Sequence, residues 1–189
     1  MYQRYVIIAP WIVLGLVWLV AAPFSRKTIQ SEGMRSRLSY VLPIVIAGAL
    51  VFSRAAAAMF PWLQSRLWSG PAPYWIGVGI EYAGIAFALW ARAHLGRLWS
   101  GTITVKEGHR LVTSGPFALA RHPIYTGALV GALGVAIATG YVKALVAFAL
   151  IAVGFSLKLT KEDELLSTRF GEEHRAYRKR VARLIPFVW

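Results

Sequence analysis

The chain has 189 residues, 57% of them hydrophobic and only 15% charged, a mix too apolar for a soluble domain and expected of a membrane protein. A formal net charge of +13 would suit nucleic acid, but the basic residues flank apolar segments and form no soluble basic face, so an anionic membrane surface explains them better. Cysteine is absent, which excludes disulfides, zinc thiolate sites, iron–sulfur clusters and a cysteine nucleophile.

A helix needs roughly 20 apolar residues to cross the hydrocarbon core. The first such run, about residues 5–24, exceeds a secretory signal core and reads as a retained span. A second lies at about 39–60 and a third at about 74–93. The block 123–157 holds Lys143 as its one charge, is too long for one span, and fits two short helices turning at Thr139-Gly140-Tyr141. The expectation is an all-α polytopic membrane protein with about five transmembrane helices.

Lysine and arginine set the orientation. With the N-terminus outside and the C-terminus cytoplasmic, only Arg4, Arg66 and Lys143 fall outside and Arg54 within a span, out of 21 basic residues. Trp62, Trp68 and Trp75 then mark the outer boundary, and Trp90 and Trp99 the inner one, as interfacial anchors. Gly127, Gly131 and Gly134 give the fourth span a small-residue face for close helix packing. Arg54 and Glu81 both lie roughly 9 to 11 Å below the outer boundary and are expected to pair.

Two inner segments remain, 95–122 and 158–189, and neither can build a soluble core. Function must therefore sit at the cytoplasmic membrane surface, with residues 1–94 as scaffold and acceptor access and 95–189 as the chemical half. In the last segment Leu166, Phe170, Tyr177, Val181 and Leu184 form a helical stripe ringed by Arg175, Arg178, Lys179, Arg180 and Arg183. That pattern predicts an amphipathic C-terminal helix on the membrane or capping the bundle.

Dinucleotide, P-loop, zinc-protease and serine-hydrolase signatures are missing. His94, His109, His122 and His174 are not spaced as metal ligands, so no metal site is expected. Two polar clusters stand out. "EGHRLVTSGPFALARHPIYTG" ends where Pro123 suits the first turn of a helix, whose free N–H groups can receive a carboxylate. His122 and Tyr125 share one face of that turn, either as part of a site or as a basic and aromatic interface anchor. "KLTKEDELL" places Lys158 four residues before Glu162, with Asp163 and Glu164 following. It is either a solvated face or a place where a carboxylate holds an ammonium and Lys158 an anion.

Together the order Gly-His-x-Leu-Val-Thr-x-Gly-Pro-(aromatic), Arg-His-Pro-x-Tyr-x-Gly, an apolar hairpin, Glu-(acid)-x-x-Leu, Phe-Gly-Glu-Glu-x-x-x-Tyr and a late proline resembles the isoprenylcysteine carboxyl methyltransferases and their prokaryotic relatives, over about residues 99–186. The resemblance implies S-adenosyl-L-methionine bound by His109, Arg110, Leu111, Val112, Phe117, His122, Pro123, Ile124, Tyr125 and Glu162. It also implies that Lys158 faces a lipophilic or prenylated acceptor, and that Lys158 and Glu162 are the residues closest to the chemistry. Where the family usually has arginine, tyrosine and glutamate, this chain has Lys158, Phe117 and Asp163; lysine keeps the charge but loses the planar fork.

The chemistry is consistent: rings of Tyr125 or Phe117 can attract a sulfonium, and an anionic acceptor needs a cation to position it but no general base. The expected partners are the acceptor and membrane lipids, with no nucleic acid and no required protein. Alternatives are a phospholipid amine N-methyltransferase, an NADPH-dependent sterol-type membrane reductase, and a non-enzymatic membrane scaffold.

Overall fold

The computed structural model describes residues 2–108 and 110–185. Within them lie helices α1 (Tyr2–Ala21), α2 (Met34–Phe52), α3 (Arg54–Met59), α4 (Pro71–Leu95), α5 (Pro123–Thr139) and α6 (Val142–Arg180). Strands β1 (Thr28–Ser31) and β2 (Thr104–Lys106) pair antiparallel, tying the chain after α1 to the chain after α4. α1, α2, α4 and α6 are long and apolar enough to cross a membrane, and α5, with 17 residues, is shorter but uncharged. Each of the five expected apolar segments is thus helical.

Local chemistry sets their ends. α5 begins at Pro123, whose missing N–H is harmless in a first turn. It stops at Gly140, which takes the left-handed conformation (φ 65°) and donates its N–H to the Ala136 carbonyl at 3.0 Å. The turn into α6 falls where Thr139-Gly140-Tyr141 predicts it. The second segment starts earlier than expected, at Met34, and breaks at Ser53. There the Ser53 hydroxyl accepts the Ala56 N–H at 3.2 Å and caps α3.

α4 and α5 make the most extensive helix contact, followed by α2 on α6. The small-residue face explains the first. A Cβ at Gly127 would lie 2.4 Å from the Gly84 carbonyl oxygen, and one at Gly134 2.4 Å from the Glu81 nitrogen. The backbones are close enough that only glycine fits. Gly127→Ala is therefore expected to lower stability by about 1–3 kcal/mol through overpacking, read as a fall in detergent melting temperature, with Gly48→Ala, which has open space, as the control.

The Arg54–Glu81 pair does not form. Arg54 is exposed at the start of α3, because the break at Ser53 turns it out of the α2 helix, whereas Glu81 is fully buried where α4 meets α5. The Trp11 indole faces Glu81, though too loosely for hydrogen-bond geometry at either carboxylate oxygen.

The amphipathic C-terminal stretch is helical, in two pieces that meet at a break at Gly171, and Val181 and Leu184 of its stripe fall beyond the helix. α6 runs on past its apolar part, which ends at Leu157, and continues to Arg180 with one kink at Gly171 (φ 50°). Beyond that kink, Tyr177 is buried, so this part of the stripe faces protein. Residues 181–185 then return as an irregular strap across the start of α5, with Arg121 N–H donating to Ala182 O at 2.8 Å and His122 N–H to Arg183 O at 3.1 Å.

Candidate active site

The end of the bundle that carries the β1–β2 ribbon, the start of α5 and the extension of α6 encloses a cavity of about 460 Å³. Its walls come from both halves of the chain, with Trp11, Leu14 and Trp18 of α1 on the apolar side. Of the residues expected at the site, Leu111, Val112, Phe117, His122, Pro123, Ile124, Tyr125, Lys158 and Glu162 all line it. Arg110 is exposed and does not line it, and His109 lies outside the described residues, as does Pro186. Trp62, Trp75 and Trp90 are exposed, as anchors should be, but Trp99 turns inward to line the cavity, stacked edge-on against Trp18 and beneath the Arg92 guanidinium at 4.6 Å.

Asp163 organises the polar end. Its carboxylate accepts from Arg121 at 3.1 Å and lies 3.0 Å from His122 Nε2, 3.3 Å from Arg183 Nε and 3.6 Å from His174 Nε2. Burial would push the carboxyl up, but the bonds and charges of His122 and Arg121 outweigh it and hold Asp163 well below the usual carboxylate range. Burial keeps His174, which is fully enclosed, below the ordinary histidine value. Arg121 also donates to the Val181 carbonyl at 2.8 Å, so one guanidinium joins Asp163 to the strap.

His122 thus faces Asp163, while Glu162, one residue back on the same cavity wall, has a different partner. It accepts the Tyr125 hydroxyl at 3.2 Å. One turn earlier Lys158 is buried, its ammonium donating to the Gly101 carbonyl at 2.7 Å. The cavity therefore offers a carboxylate, an ammonium, the aromatic faces of Tyr125 and Phe117, and the first turn of α5. Phe117 is fixed from behind, its carbonyl accepting the Tyr177 hydroxyl at 2.5 Å.

Sequence reasoning missed the Asp163 hub and His174. The available signal was charge balance: adjacent Arg121 and His122 at a helix start require an acid, and Asp163 is next to the glutamate already singled out. No group of three or more His, Asp or Glu able to hold a metal occurs among the described residues.

The fold and the site together define an all-α protein with membrane-spanning apolar helices and an aromatic and charged cavity at one end of the bundle. The model of the isoprenylcysteine carboxyl methyltransferase family matches residues 77–168. A probable protein-S-isoprenylcysteine O-methyltransferase of Oryza sativa subsp. indica is 27% identical over 182 residues, covering 92% of this chain and 90% of the relative. Protein-S-isoprenylcysteine O-methyltransferase A of Arabidopsis thaliana is 31% identical over 134 residues, covering 69% and 66%. A cobalt-zinc-cadmium resistance protein of Cupriavidus metallidurans is 35% identical over 99 residues, covering 50% and 44%. The chain belongs to the isoprenylcysteine carboxyl methyltransferase family.

Proposed function

We propose that this protein transfers a methyl group from S-adenosylmethionine to the carboxylate of a lipophilic, isoprenylcysteine-like acceptor. The observation that carries this reading is the placement of Glu162, Tyr125, Phe117 and Lys158 around one cavity that is polar at one end and walled by Trp11, Leu14 and Trp18 at the other. Residues 95–189 hold the cofactor end and residues 1–94 the access side. The excess of lysine and arginine at that end supports a cytoplasmic site, an outer N-terminus and five crossings.

The cofactor would supply a methyl group on a positively charged sulfur. Glu162 would hold its ammonium, the N–H groups of the first α5 turn its carboxylate, and Tyr125 and Phe117 its cationic centre, at about 0.5–2 kcal/mol for a cation–π contact. Asp163 would not touch it; by fixing Arg121 and His122 it would keep the entrance of α5 in place. Lys158 would orient one oxygen of the acceptor carboxylate toward the methyl group that the cofactor would supply. No proton moves, so the residues supply alignment and not a base.

Transfer from radiolabelled cofactor to an S-farnesylcysteine should give a product whose label is released by mild base, as an ester requires. Base-stable label on phosphatidylethanolamine would favour amine methylation instead.

A further inference from the structure

We infer that Glu32, in the turn between β1 and α2, is a positioning residue that holds Lys158 in place through Tyr40 and through the Gly101 carbonyl. The inference rests on the reading of Lys158 as the cation that meets the acceptor.

Lys158 sits in a three-sided seat. Its ammonium donates to Gly101 O at 2.7 Å and lies 5.1 Å from the centre of the Tyr40 ring and 5.4 Å from that of Tyr125. Of its three N–H donors one is used among the described residues, leaving two for an anion. Gly154, one turn before Lys158, lets α2 come close: a Cβ there would meet the Tyr40 carbonyl oxygen at 2.8 Å. Each ring is in turn tied by its hydroxyl to a carboxylate, Tyr125 to Glu162 and Tyr40 to Glu32.

Glu32 fixes two of the three sides. Its Oε1 accepts both the Tyr40 hydroxyl and the Ile103 N–H, the latter at 3.2 Å, and its own N–H donates to Ile103 O at 3.1 Å, pinning the segment that carries the Gly101 carbonyl. The Ser36 hydroxyl, at 2.7 Å, occupies Oε2. Helix capping alone would account for Ser36 but not for the bonds to Tyr40 and Ile103. Partial burial works against its charge, yet these bonds keep the Glu32 carboxyl below the usual range. A lysine lacks the preformed fork of arginine and has four flexible bonds to order. A rigid seat supplies from outside the orientation that the side chain lacks.

The test uses the full chain in nanodiscs. Glu32→Ala should raise the KM for an S-farnesylcysteine by about tenfold, the loss of one hydrogen-bonded anchor, with S-adenosylmethionine affinity within about twofold. Glu32→Gln, whose amide oxygen can still accept from Tyr40 and Ile103, should recover most of it. Should Glu32→Ala not fold, Tyr40→Phe, which removes one hydroxyl, carries the same expectation. A crystal structure of the Glu32→Ala protein should show the Lys158 ammonium displaced from Gly101. An unchanged acceptor KM, an equal fall in cofactor affinity, or an ammonium still on Gly101 would overturn the inference. If the parent chain methylated no farnesylcysteine, the substrate reading would fall, and the position of Lys158 in the variant would still decide whether Glu32 holds it.

Discussion

Asp163→Ala is expected to destabilise the protein by about 3–5 kcal/mol and to remove cofactor binding with it. The substitution leaves the Arg121 and Arg183 guanidinium groups facing an empty site, and Arg121 is nearly buried, with 9% of its side chain exposed. Removing one partner of a buried ionic group strands the others, a penalty larger than the attraction lost. It also frees the strap, since Arg121 is the side chain that grips both Asp163 and Val181. Asp163→Asn keeps the shape and should cost less. The pH dependence follows from the depressed carboxyl: its stabilisation is fully present above the unfolded value of about 4 and is lost as pH falls through the lower folded value. The stability gap between the parent protein and Asp163→Asn should therefore narrow with acidification, measured by urea unfolding in detergent across that range.

Glu162→Ala is expected to leave the fold intact and weaken S-adenosylmethionine binding by about 1.5–3 kcal/mol, roughly 10- to 150-fold. Glu162 is half-buried, and the bond it accepts from Tyr125 has a hydroxyl donor that can turn to the cavity. Its loss therefore costs the protein little, while the proposed ammonium loses its charged partner. Calorimetry with matched melting curves separates the two effects. A variant that melts like the parent and binds equally well would remove Glu162 from the site.

Much of this architecture was legible in the sequence because bilayer physics leaves few options. The runs of apolar residues have few alternatives to helix in a bilayer, Pro123 suits a helix start, and Gly140 takes without strain the left-handed conformation that ends one. Gly127 and Gly134 likewise announced close packing. Glu162, Tyr125 and Lys158 could be placed near one another because two motif clusters flank one tight hairpin, so the start of α5 must lie beside the part of α6 that follows its apolar stretch.

What escaped were long-range partners. Arg54 and Glu81 share a depth but not a direction, and depth was all that hydropathy could supply; the turn at Ser53 decided the matter. The basic stripe after Leu166 has helical spacing on both sides of Gly171, so periodicity could not reveal that the helix kinks and continues into the site. Glu32 is the first acid in the chain and lies among Arg26, Lys27, Arg35 and Arg37. That isolation was a signal, but the partner that ties it to the site, Ile103, comes from a loop about 70 residues away, and only Ser36 and Tyr40 are local. Trp99 resembled its interfacial neighbours by position and differs only in the side it faces.

The central claim is that the cavity at the start of α5 takes S-adenosylmethionine. Calorimetric titration of the full chain in nanodiscs tests it most directly, with NADPH as the competing ligand. Saturable one-site binding of S-adenosylmethionine, displaced by S-adenosylhomocysteine and absent for NADPH, is the predicted result. A folded protein that binds no S-adenosylmethionine, or that binds NADPH in its place, would contradict the account.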